Sequence, residues 1–125
     1  LGTQLFHSYS NEFGRHKGLN LIRGGVLELP KDEKLPIPHV GWSTIKVSDT
    51  SDNSIFSDIL DNDYFYFTHS FSCVPEDSEN IVAKFKFGSN DLVAAVKNEN
   101  VIGCQFHPEL SSFPGIQILK NFLKL

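Results

Sequence analysis

The sequence predicts an α/β domain in which strands are layered against helices, and three observations carry that prediction. Tyr64-Phe65-Tyr66-Phe67-Thr68-His69-Ser70-Phe71 is an aromatic run of strand type. Its apolarity is continuous rather than alternating, which calls for burial on both faces. Ile81 to Phe87 sets Ile81, Ala83, Phe85 and Phe87 against Val82, Lys84 and Lys86, the period of a half-buried strand. At the carboxy end, Ile116, Leu119, Phe122 and Leu123 recur at helical spacing after Ser111 and Ser112, either of which can cap.

The elements follow in chain order. Leu1 to about Glu12 reads as a helix, with Leu1, Leu5 and Tyr9 four apart and Gly14 as its stop. Arg15 to Asn20 is a polar loop. Leu21 to Leu29 is apolar with a break at Gly24-Gly25, read as two strands bent at the glycines. Pro30 to Pro38 is a loop without periodicity. Ile37-Pro38-His39-Val40-Gly41-Trp42 reads as a proline-restricted extended turn, and its Trp suits either a core or an interface. Ser43 to Val47 is a strand. Asp49 to Ser54 is a polar turn in which Asp52 or Asn53 caps a short helix, Ser54 to Leu60, with Ile55, Phe56 and Ile59 on one side. After the aromatic strand, Pro75 to Asn80 is an acidic turn. Gly88-Ser89-Asn90 joins the half-buried strand to a return strand, Asp91 to Lys97, and Asn98-Glu99-Asn100 turns again.

Composition narrows the function. A chain of 125 residues is long enough to bury one core. A net charge of −4 argues against a nucleic-acid surface. No apolar run has transmembrane length, and the start lacks a signal-peptide pattern. Two cysteines make no disulfide framework and fit a reducing, cytoplasmic setting. Cys73 and Cys104 read as structural thiols. Nothing in the pattern calls for a metal or a cofactor.

Val101-Ile102-Gly103-Cys104-Gln105-Phe106-His107-Pro108-Glu109 reads as a buried strand stopped near His107 by Pro108. Two apart in extended chain, His107 and Glu109 can point to one side. A carboxylate beside an imidazole fixes its tautomer and stabilises the imidazolium, as a nucleophilic triad requires. On spacing alone, a strand that ends in a surface histidine and a solvated glutamate accounts for the same residues.

The run Gly103 to Glu109 resembles the Gly-x-Gln-Phe-His-Pro-Glu signature of class I, triad-type glutamine amidotransferases. The resemblance implies a layered α/β fold with a mostly parallel central sheet, flanking helices and an antiparallel section. It implies that residues 1–125 are the carboxy-terminal part of a single amidotransferase domain. Leu1-Gly2-Thr3-Gln4 resembles the tail of the family's nucleophile elbow, which places the catalytic cysteine just before Leu1. By the same resemblance His107 and Glu109 are catalytic. Gly2 permits close approach at the elbow, Gln4 contacts L-glutamine, and His69 and Ser70 shape the substrate pocket. Phe71 stands where the family usually has Tyr.

Pro38-His39-x-Gly41-Trp42 is similar to the glutaminase subunits that serve imidazole glycerol phosphate synthase, where this loop faces the barrel-shaped cyclase subunit of a heterodimer. Two positions depart from that branch. Ser43 replaces the usual Asn, and Leu110 replaces a Lys that pairs with the synthase subunit. The departures admit a paralogue that supplies ammonia for amidating a surface-polysaccharide sugar. A catalytically silent binding module and a hydrolase built on Cys73 or Cys104 are the readings from other classes.

Overall fold

The structure, a computed structural model, describes residues 2–49 and 54–125. The strands and helices are α1 (Gly2–Leu5), β1 (His7–Ser10), β2 (His16–Lys17), β3 (Ile22–Glu28), β4 (His39–Thr44), β5 (Lys46–Val47), β6 (Tyr64–His69), β7 (Phe71–Pro75), β8 (Ile81–Phe87), β9 (Asn90–Asn98), β10 (Val101–Cys104) and α2 (Ser112–Phe122). Short 3-10 turns lie at Ser54–Phe56, Ser78–Asn80 and Pro108–Leu110.

The strands form sheets ordered β2-β1-β3-β7 and β10-β9-β8-β5, with β4 and β6 as a separate pair. The layered α/β class is as expected, but strand direction is not. Among the described strands β1 and β3 pair parallel, and the remaining pairs are antiparallel. Short connections explain this, because a parallel pair needs a crossover of a dozen or more residues.

The hairpin β8–β9 follows its alternation from Ala83 onward, while Val82, expected on the wet side with the lysines, is buried where the register shifts. Ala83, Phe85 and Phe87 are buried while Lys84 and Lys86 are exposed, and Gly88 takes φ +62° in the turn. These side chains join Phe65, Phe67, Phe106 and Ile118 in the main core. Each fully buried Phe stabilises the fold by roughly 1.5–3 kcal/mol relative to exposure. A smaller cluster of Ile22, Val26, Cys73, Val93 and Val96 ties the first sheet to β9.

Several elements differ from the sequence expectation. The amino-terminal helix stops at Leu5, because His7 enters the first sheet with its ring fully buried and Tyr9 pairs with Gly25 of β3. Strand pairing overrides a weak helical preference there. The expected loop after Arg15 holds the short strand β2. The stretch Leu21 to Leu29 holds the one strand β3, with Gly24 at φ +141° bending it without breaking it. The expected turn at His39–Trp42 is strand β4, paired antiparallel with β6. The expected helix after Ser54 is a 3-10 turn, with Ile55 and Phe56 buried. Its predicted caps, Asp52 and Asn53, lie outside the described residues, as does Leu1.

The aromatic run alternates after all. Phe65, Phe67 and His69 face the core, Tyr64 and Thr68 face out, and Tyr66 is half-buried. Tyrosine carries a hydroxyl that tolerates water, so its apolar ring overstates burial. Helix α2 packs through Gly115, Ile118 and Asn121. The predicted core stripe of Ile116, Leu119, Phe122 and Leu123 is exposed. Asn121 wins its buried place by donating from Nδ2 to the carbonyls of Ile55 and Ser57.

Candidate active site

The site is built where the chain leaves β10. The strand ends at Cys104, and the Gln105 N–H still bonds the Ala94 carbonyl at 2.8 Å. Phe106 then drops into the core against Phe65, ring centres 4.5 Å apart. That anchor turns the chain toward β6, where the His107 N–H donates to the Tyr66 carbonyl at 2.9 Å. Pro108 opens the 3-10 turn at a position where its missing N–H costs nothing. One residue on, Glu109 folds back over His107.

The two side chains meet. His107 Nδ1 lies 2.7 Å from Glu109 Oε1. An ionised carboxylate only accepts, so Nδ1 carries the proton and donates, leaving the Nε2 lone pair free. The bond from His107 holds the Glu109 carboxyl below the usual carboxylate range. The His107 side chain is 34% exposed, so Nε2 can be reached from outside. This is the base-and-orienter arrangement of a nucleophilic triad.

Helix α1 lies beside this strand. A Cβ at Gly103 of β10 would sit 2.2 Å from Thr3 Oγ1, so only glycine lets the two elements touch. Gln4 is buried, and its Nε2 donates to the Phe71 carbonyl at 3.3 Å. His69 Nδ1 donates to the same carbonyl at 2.8 Å. Gln4 and His69 thus converge on one backbone group. Ser70 forms the bend between β6 and β7, and its carbonyl accepts from the Leu29 N–H. Burial pushes His69 down to about 4, and its Nε2 has no partner among the described residues. At Gly2 a Cβ would meet nothing within 4 Å, so the close approach expected there is not made to any described atom.

The segment Pro38 to Trp42 divides between two faces. His39 turns inward, stacked on Phe85 at 5.4 Å with its edge to His69. Burial lowers its pKa. Gly41, at φ +153°, pairs with Phe67 on the same inner face. Val40 and Trp42 point outward beside Thr68 and Tyr66, and Trp42 is 51% exposed. Pro38 is exposed at the start of the strand.

The cysteines do not offer a second nucleophile. Burial pushes both the Cys73 and the Cys104 thiols up to about 12. Such thiols stay protonated and unreactive at neutral pH. Among the described residues no three His, Cys, Asp or Glu side chains converge as a metal site.

Sequence reasoning missed the role of Ser111. Expected to cap α2, its side chain makes no cap bond and instead bonds the His107 carbonyl and the Tyr66 N–H. Its place just after His-Pro-Glu was the available signal.

The family model for "Glutamine amidotransferase class-I" matches residues 1–125. The chain belongs to the class I glutamine amidotransferase family. Among similar proteins of this family, imidazole glycerol phosphate synthase subunit HisH of Methanosarcina barkeri is 46% identical over 127 residues, covering 100% of this chain and 60% of its own length. The protein of the same name from Chlorobaculum tepidum is 38% identical over 122 residues, covering 98% and 59%. The chain therefore spans about three fifths of the length of these amidotransferases. A crystal structure described as a putative GMP synthase protein from Thermoplasma acidophilum superposes with a TM-score of 0.61 at 17% identity, over 81% of this chain and 47% of the other. That likeness shows the shared fold. No helix among the described residues is long and apolar enough to cross a membrane.

Proposed function

We propose that this chain is the part of a glutaminase that supplies the base and its carboxylate, and that the whole protein hydrolyses L-glutamine to glutamate and ammonia. The single observation that carries the reading is the 2.7 Å bond between His107 Nδ1 and Glu109 Oε1, which leaves Nε2 open. The nucleophile in this reading is the cysteine of the family's elbow, whose tail Leu1-Gly2-Thr3-Gln4 resembles. His107 Nε2 takes the thiol proton as the sulfur attacks the side-chain amide carbon of glutamine, the C–N bond breaks, and Nε2 returns that proton to the departing nitrogen so that ammonia leaves. Water then attacks the thioester while Nε2 takes its proton, and glutamate is released. Glu109 stabilises the imidazolium in both halves. Gln4, His69 and Ser70 line the substrate side, with Gly2 beside the oxyanion.

Similarity to imidazole glycerol phosphate synthase subunits supports a synthase partner that receives the ammonia. The outer face of β4–β6 suits that partner, since Val40, Trp42 and Tyr64 are each more than half exposed there. Aromatic side chains on such a face make good interface anchors. Leu110, 53% exposed, supports a second reading in which the partner differs from the histidine-pathway cyclase. An apolar side chain cannot replace the charge pair that a Lys makes.

The test is an assay of the intact polypeptide for glutamate and ammonia, with and without a cyclase barrel protein. Equal yields of the two products, stimulated by the barrel, are expected. No glutamine hydrolysis in either condition overturns the proposal. Hydrolysis that the cyclase does not stimulate points to the other partner.

A further inference from the structure

We propose that Ser111 is a positioning residue for the His107–Glu109 pair, its hydroxyl spliced between β6 and the segment after β10 so that the chain can turn at Pro108 at the angle the pair needs. The inference rests on the glutaminase reading above.

Ser111 is completely buried between the turn Pro108–Leu110 and helix α2. Its Oγ donates to the His107 carbonyl at 2.6 Å and accepts the Tyr66 N–H at 2.9 Å. The His107 N–H in turn bonds the Tyr66 carbonyl at 2.9 Å. These three bonds close a ring through the peptide groups of two residues. In a regular ladder the Tyr66 N–H would reach the His107 carbonyl directly. Here the hydroxyl stands between them, so that pair of groups is bridged rather than bonded directly, yet both are satisfied. The chain is thereby free to turn at Pro108 and bring Glu109 back over His107.

The packing behind Ser111 leaves it no slack. A Cβ at Gly115 of α2 would lie 1.9 Å from the Pro108 carbonyl oxygen and 2.8 Å from Ser111 Cβ. Helix α2 therefore presses on the turn through a glycine, and the Gly115 N–H bonds the Ser111 carbonyl at 3.3 Å. The position of the His107 ring is set from one side by β6 and from the other by α2, with Ser111 as the shared point. The Ser111 hydroxyl bonds the backbone of His107 and Tyr66 and neither side chain of the pair. It acts through the His107 backbone, and a displacement of about 1 Å at a catalytic group can cost on the order of 100-fold in rate.

The experiment compares Ser111→Ala and Gly115→Ala with the wild-type intact polypeptide. Ser111→Ala removes the bridging hydroxyl. Gly115→Ala keeps every hydrogen-bonding side chain but pushes the same turn. Both are expected to lower kcat for glutamine by about 10- to 100-fold with KM unchanged, because the pair is misplaced while the pocket is kept. Labelling of the nucleophilic thiol by a glutamine-like electrophile is expected to remain stoichiometric, which shows that the sites are folded. An unchanged kcat in Ser111→Ala, or equal losses in kcat and in labelled sites, overturns the proposal. If the wild type hydrolyses no glutamine, the functional reading fails by itself. Nitrogen NMR of the His107 ring then decides the positioning claim: a weakened Nδ1–H bond to Glu109 in Ser111→Ala upholds it, and an unaltered bond ends it.

Discussion

His107 and His69 make an instructive pair. Each ring donates from Nδ1 to an oxygen two residues further along the chain, Glu109 Oε1 at 2.7 Å for one and the Phe71 carbonyl at 2.8 Å for the other. The acceptors differ in charge and the sites differ in burial. His69 sits in the core among Phe67, Phe85 and His39. Burial holds it neutral, and a carbonyl offers little to stabilise an imidazolium. His107 is half-exposed with an ionised carboxylate behind it. The same local geometry thus gives a buried, fixed donor in one place and an accessible ring backed by a carboxylate in the other, as the proposed proton carrier requires. Charge behind the ring and access in front of it separate the two roles.

Removing the charge should erase the distinction at the largest cost. In the intact polypeptide Glu109→Gln is expected to lower kcat by roughly 10²- to 10⁴-fold, since a neutral amide neither fixes the tautomer nor stabilises the imidazolium. Loss of no more than a few-fold would mean that Glu109 is a solvated surface residue.

The buried member of the pair predicts a pH effect on stability. Unfolded, His69 binds a proton near 6.5, but in the folded chain only near about 4. Between those values the unfolded state holds more protons, so stability present above pH 6.5 is lost as pH falls toward 4, by up to about 3 kcal/mol. His7 and His39 shift in the same direction. Chemical denaturation across this range should show the loss, and His69→Gln should flatten it. A flat profile in the parent chain would contradict the buried, neutral ring.

The outer face of β4 gives a smaller effect. Trp42→Ala should weaken partner binding by about 2 kcal/mol while leaving unstimulated glutamine hydrolysis intact. Partner titration by calorimetry checks it, and unchanged affinity would remove this face from the interface.

The same contrasts explain what was legible in the sequence. The hairpin β8–β9 could be read because Lys84 and Lys86 mark the wet face unambiguously. The His107–Glu109 pair could be read because the two lie two apart around Pro108 in a contiguous motif, although the strand expected to run to His107 ends at Cys104. Helix α2 was readable as a helix but not in its orientation. It carries one apolar stripe through Ile116, Leu119 and Leu123 and a second contact face through Gly115, Ile118 and Asn121, and periodicity cannot say which one packs. The two tyrosines of β6 hid its alternation in the same way. The helix α1 was legible but its end at Leu5 was not, because β3 recruits His7 to Ser10 into a sheet that local propensity does not foresee. Ser111 was noticed for its residue type but assigned the common role rather than the one its burial gives it.

On the proposed function, turnover rests on the proton carried by His107 Nε2. The most direct measurement is steady-state ammonia release from glutamine by the intact polypeptide carrying His107→Ala, with the nucleophilic thiol titrated in parallel. The expected result is a loss of at least about 10²-fold in turnover, with the thiol still present in full. Wild-type turnover in that variant would contradict a proton-carrying role for His107.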